Sequence, residues 1–147
     1  MINKIIDAIS NALGDEFGDG FEIYTESVEQ GLQEPCFSIV CINPTNKLFL
    51  GNESKKRYYR QNQFCIHYFP PEVEDKNQDI WSVVERLYSC LDTIEVESDE
   101  PDQRGTQMHS EVSDGVLNFF VNYDMYVYVS TEADEMENLE LSTDVKG

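Results

Sequence analysis

At 147 residues, with 40% hydrophobic and 12% aromatic content, the chain can bury one packed core and is too apolar for wholesale disorder. Ten Lys and Arg against 29 Asp and Glu give a net charge of −19, which repels nucleic-acid phosphates and excludes sequence-wide DNA binding. No apolar run approaches the roughly 18 residues of a spanning helix, and the N-terminus shows no basic region followed by an apolar core and cleavage site, so the expectation is cytosolic synthesis with no membrane partner.

Ile2, Ile5, Ile6, Ile9 and Leu13 repeat at helical spacing and predict an amphipathic helix that ends at Gly14. Phe21 to Glu26 alternates as a short strand near a sheet edge. Gly31 to Pro35 reads as a loop, and Cys36 to Ile42, apolar on both faces except at Ser38, as a strand deep in a sheet. Asn43 to Ser54 holds Pro44, Asn46, Gly51 and Asn52, enough breakers for a loop or a long hairpin connection. Around it the charge changes sign: Lys47, Lys55, Lys56, Arg57 and Arg60 are half of all the cations. Either these lysines keep a sheet edge from pairing with strangers, or they form a cationic finger that meets an acidic partner or another copy of this acidic chain.

Arg57 to Phe69 continues as a strand with Phe64, Ile66 and Tyr68 inward and Cys65, His67 and Phe69 outward, stopped by Pro70-Pro71. Asp75 to Asp79 offers helix-capping groups, and Ile80, Val83, Val84, Leu87 and Leu91 form the stripe of a second helix, flanked by Trp81 and Tyr88. Short strands are expected at Thr93 to Glu97 and Gln103 to Ser113. Asp114-Gly115 supplies turn chemistry for a hairpin into Gly115 to Ser130. That stretch puts Leu117, Phe119, Val121, Tyr123, Met125, Val127 and Val129 on one face, the pattern of a central strand under a helix layer. Residues 131–147 read as an acidic, flexible tail, although Met136, Leu139 and Leu141 leave room for a short docking helix.

Cys36, Cys41, Cys65 and Cys90 lie in apolar segments without C-x-x-C pairing and are expected to be buried free thiols. Two chemical alternatives are zinc held by Cys65, His67, Cys36 and Cys41, and a Cys65–His67 nucleophile pair. Neither carries the tight ligand spacing or the oxyanion site that its chemistry needs. No catalytic residue, cofactor or metal is therefore assigned.

The element order gives an α+β domain over residues 1–130: a two-layer fold with a mostly antiparallel sheet and two helices packed on one face. The other face keeps Phe120, Tyr126 and Tyr128, and exposed aromatic surface marks an interface. With the cations, these make Lys47, Lys55, Lys56, Arg57, Arg60, Phe120, Tyr126 and Tyr128 the candidate contact residues.

The arrangement R-Y-Y-R-x-x-x-F-x-I-x-Y-F-P at Arg57 to Pro70, the Trp-bearing helix, and D-G-V-L-x-F-x-V-x-Y at Asp114 to Tyr123 resemble the small tail terminator (tail completion) proteins of phages and prophages of Gram-positive bacteria. The resemblance covers all but the acidic tail. It implies a non-enzymatic virion subunit at the head-proximal end of the tail. Such a subunit forms a hexameric ring with copies of itself on the tail tube protein, halts tube polymerisation and presents a surface to the head connector protein. A head completion or other head-tail connector protein is the nearer alternative, and a cysteine/histidine hydrolase or metal protein the further one.

Overall fold

The computed structural model describes residues 1–25, 33–52, 54–97, 100–130 and, for the backbone alone, 140–143. The expected α+β architecture is present, with nine strands and two helices among these residues. A seven-stranded sheet has the order β1 (Glu22–Tyr24), β2 (Cys36–Gly51), β3 (Lys55–Phe69), β7 (Val116–Asn122), β6 (Thr106–Ser113). β8 (Met125–Ser130) also pairs with β3, and β9 (Glu140–Thr143) pairs with β8. The β1–β2 pair is parallel and every other pair antiparallel. β4 (Thr93–Ile94) and β5 (Gln103–Arg104) form a separate two-stranded ribbon.

Helices α1 (Ile2–Phe17) and α2 (Lys76–Cys90) cover one face. Ile5, Ile9 and Leu13 of α1 and Ile80 and Leu87 of α2 pack in one buried cluster with Phe37, Ile39, Phe64, Ile66, Leu117 and Phe119 of the sheet. The predicted α1 stripe is there, but Gly14 does not end the helix. One further turn buries Phe17 against Phe21 and Phe37, at ring distances of 5.2 and 4.8 Å, and the chain leaves at Gly18 with φ 77°. In α2, Asp75 holds the N-cap position without a side-chain capping bond. Asp79 in the first turn instead accepts a 2.7 Å hydrogen bond from the Tyr68 hydroxyl.

Four strand assignments change. The breaker-rich stretch after Ile42 remains strand: β2 runs on to Gly51, accommodating Pro44 at a bulge between Ile42 and Thr45. Pairing with β3 satisfies the backbone there, which local composition does not reveal. The strand expected at Gln103 to Ser113 divides at Gly105, whose N–H donates to Asp92 O at 2.8 Å, and Thr93 to Glu97 keeps only Thr93–Ile94 as strand. The long Gly115 to Ser130 strand divides at Tyr123-Asp124 into β7 and β8. Both nonetheless pair with β3 in one register, from Tyr68↔Leu117 to Lys55↔Ser130. At the break Asn62 faces Tyr123. Tyr123 N–H donates to Asn62 O, Asn62 Nδ2 donates to Tyr123 O, and Asp124 Oδ1 accepts the Asn62 N–H. The Tyr123 side chain turns inward, fully buried, and its hydroxyl donates to Leu91 O at 2.7 Å, tying the break to the end of α2. The Asp114-Gly115 turn is as expected, with both residues at positive φ (53° and 76°) between the paired Ser113 and Val116.

The Glu26 end of the first expected strand, part of the 31–35 loop, and the tail at 131–139 and 144–147 lie outside the described residues. Glu140–Thr143 pairs with Val127–Ser130 as β9.

Candidate functional site

Alternation along β3 sets two faces. Phe64, Ile66 and Tyr68 point to the helices, and across the ladder Phe37, Ile39, Leu117, Phe119 and Val121 join them. The opposite face has no helix among the described residues. In its central rows Ser38, His67 and Asn118 lie abreast, as do Val40, Cys65, Phe120 and His109.

The four cysteines are free. Cys36 and Cys65 are buried, as expected; Cys41 and Cys90 are half-buried. Cys41 pairs with Phe64 and shares its helix-side face, whereas Cys65 points to the other, so the pair cannot join one ligand set. Among the described residues no three His, Cys, Asp or Glu groups come together as a metal site. Burial raises the Cys65 thiol from 9.0 to about 11, with Glu111 adding to the effect. His67 Nδ1 lies 2.6 Å from Asn118 Oδ1 and 3.8 Å from Cys65 Sγ. A thiol held protonated beside a histidine engaged by an amide is poorly placed for nucleophilic chemistry at neutral pH.

The distinctive surface lies at the other end of the sheet. Beyond the Asn62/Tyr123 junction, the lower parts of β2, β3 and β8 form an arm. Its tip turn is closed by Asn52, whose Oδ1 accepts the N–H groups of Ser54 and Lys55 at 3.0 Å. Residues 43–51 of β2 are all exposed. Leu48, Phe49 and Leu50 stand out at 55, 56 and 66% exposure, an apolar triplet that a loop assignment hides. Three consecutive large apolar residues in a strand about to turn are its sequence signal. On the helix-free face of the arm, Tyr126 packs between Phe49 and Tyr59, at 5.3 and 5.0 Å. The Tyr59 hydroxyl donates to Asp124 Oδ2 at 3.2 Å. Burial pushes the Asp124 carboxyl above its ordinary value, against the hydrogen bonds from Tyr59 and Asn62.

The eight candidate contact residues divide. Lys47, Lys55, Arg57, Tyr126 and Tyr128 share the helix-free face of the arm, where the Arg57 guanidinium sits 4.6 Å over the Tyr128 ring with Nη2 3.1 Å from its hydroxyl. Lys56 and Arg60 point to the opposite face, and Arg60 Nε donates to Asn46 Oδ1 at 2.9 Å. Arg57 and Arg60 thus have partners within the subunit, leaving Lys47 and Lys55 as the outward, exposed cations of the arm. Phe120 is not part of this group. It lies about 20 Å along β3, half-buried and stacked on His109 at 4.6 Å.

A second exposed aromatic group lies on α2: Trp81 is 50% and Tyr88 41% exposed. With Glu85 between them they form one stripe of the helix surface. Both flank the core stripe in the sequence, and neither is among the eight contact residues that charge and sheet patterning select.

No helix among the described residues is long and apolar enough to cross a membrane. No curated protein matches the sequence. The family described as phage tail terminator protein matches residues 4–135, nearly the whole described fold including the arm and both helices, and the chain belongs to that family, as a structural protein of phage tail morphogenesis.

Proposed function

We propose that this protein caps the head-proximal end of the tail tube, stops its polymerisation and presents the joining surface to the head connector. It is made in the bacterial host cytoplasm and acts as a homo-hexameric ring, without catalysis or cofactor. The observation that carries this reading, beyond family membership, is the arm: an exposed strand hairpin with an apolar tip and outward lysines on a chain of net charge −19. A surface of that kind is costly to leave in water and fits an acidic, partly apolar partner. Another copy of this chain and the tail tube are the partners proposed, with Lys47, Lys55, Lys56, Arg57, Arg60, Tyr126 and Tyr128 at or behind the contact and Phe120 on the same face farther in. Acidic surface facing the lumen would let DNA pass without adhering, by charge sign alone.

Electron microscopy of particles from a phage deleted for this gene tests the role. The expected result is tail tubes of uncontrolled length beside unattached heads. Tails of normal length with heads that leak DNA would transfer the protein to head completion, and intact virions would overturn both assembly roles.

A further inference from the structure

Two exposed apolar patches on this chain lie apart. The first is the arm tip, where Phe49 and Leu50 share the helix-free face with Lys47 and Lys55 and Leu48 points to the other side. The second is a stripe of α2, Trp81, Glu85 and Tyr88, the last half-exposed with its ring 5.7 Å from that of Phe119. α2 begins where Asp79 meets Tyr68, near the far end of β3 from the arm tip. α2 is capped by Leu91, whose O accepts the Tyr123 hydroxyl at the sheet break, about 20 Å along β3 from the tip pair Gly51↔Lys56, so the paired strands hold the tip clear of its own α2.

The charges of the two patches are opposite. On and just before α2, Lys76 is engaged by Glu72 at 3.0 Å and Arg86 by Glu16 at 2.9 Å. Glu74, Asp75 and Glu85 are exposed and carry no ion pair among the described residues, leaving the stripe net acidic around two aromatic rings. On the arm, Lys47 and Lys55 are exposed cations, equally without an ion pair there, flanking Phe49 and Leu50. Burying each patch alone would strand charges; burying them together pairs the charges at the rim and dries the apolar centre. Edge-to-edge strand pairing by β2 is the less suitable use of the arm. That edge carries Pro44, two bulges and Lys47, the features that block strand addition.

We propose that the arm tip of one copy docks on the α2 stripe of the next, Phe49 and Leu50 covering Trp81 and Tyr88, with Lys47 and Lys55 facing Glu74 and Glu85. The contact joins two different surfaces, so it is head-to-tail, and repeated with a closing rotation it makes a ring. The inference rests on the ring reading above and names its contact.

Trp81 is this chain's single tryptophan, so with 5-hydroxytryptophan in its place, excited apart from the tube protein's own tryptophans, its fluorescence reports this contact. The protein is mixed with purified tail tubes across a concentration series, with assembly followed by sedimentation and electron microscopy. Rings should form with a blue shift of Trp81 emission. Leu50→Asp, at an exposed site, should fold normally but lose both ring and shift. Lys47→Glu/Lys55→Glu should lose them too, and mixing that variant with Glu74→Lys/Glu85→Lys should restore mixed rings that neither forms alone. Rings that form while Trp81 stays in water would overturn this contact and leave the ring reading intact. A blue shift that persists in the Leu50→Asp and lysine variants would overturn it as well, assigning α2 to the tube protein. Failure of the wild type to form any ring, with tubes or without, would overturn the ring reading and this contact with it.

Discussion

The two ends of the sheet share β3 as a common strand, yet they are built on different terms. In the helix-covered end, one face of β2, β3 and β7 is sealed by α1 and α2, with Phe37, Phe64, Phe119 and Leu117 at 0% exposure. In the arm the same β2 and β3 continue, now beside β8, with residues 43–51 of β2 all exposed. One end stores the folding free energy through removal of apolar area from water. In the other, Leu48, Phe49 and Leu50 of β2 stay in water, while Met125 and Val127 of β8 reach the core. Strand pairing alone therefore does not define the domain; the helix layer divides the covered part of the sheet from the exposed β2 edge of the arm.

The largest expected effect that would break this division is in the covered end. Phe119→Ala removes a fully buried ring at the centre of the cluster and should cost about 3–5 kcal/mol in chemical denaturation, as large aromatic truncations in cores do. A loss below about 1 kcal/mol would mean the cluster is not the folding core. At the junction, Asn62→Ala removes the buried amide that donates to Tyr123 O and should cost about 1–3 kcal/mol. Hydrogen exchange should then rise in β8 more than in β7; equal rises on both sides would show that the junction does not separate the two ends. The smallest effect is in the arm: Leu50→Ser should change stability by less than about 0.5 kcal/mol, since its side chain is 66% exposed. A large loss there would make the arm part of the core.

The sequence makes the covered end far more readable than the arm. The period-two run from Leu117 to Val127, the isoleucine spacing of α1 and the Asp114-Gly115 turn each encode their structure locally, because burial on one face leaves a pattern in the residues themselves. That run continues through Met125 and Val127 into the β8 part of the arm, but the β2 part has no such pattern. It is held as strand by pairs such as Asn46↔Arg60 and Lys47↔Tyr59 with β3, so Pro44, Asn46 and Gly51 read as a loop until the partner is known. Gly14 misleads for the opposite reason. Burial of Phe17 against Phe37 is gained only if the helix passes through the glycine, and this packing outweighs a propensity cost of about 1 kcal/mol. Of the candidate contact residues, the charge reversal at Lys47 to Arg60 points to the arm, but which cations face outward depends on register. Arg60 is turned to Asn46 and Arg57 to Tyr128 by alternation that sequence alone could not phase across the bulges. Read as part of a loop, Leu48-Phe49-Leu50 gives no contact signal of its own, because apolar residues in a loop have no assigned face.

The shared register of β7 and β8 along β3 also sets a timetable for synthesis. Arg57 meets Tyr128 only after 71 further positions have been made, about 4–14 s at bacterial-scale elongation of roughly 5–20 residues per second. During that interval the β2–β3 hairpin, apolar tip included, exists on the ribosome with one side of β3 unpaired. Contacts of this sequence separation form late in folding, so the arm takes its final shape only when almost the whole chain has emerged. The arm is therefore completed last, after the helix-covered layer has had most of its sequence in hand.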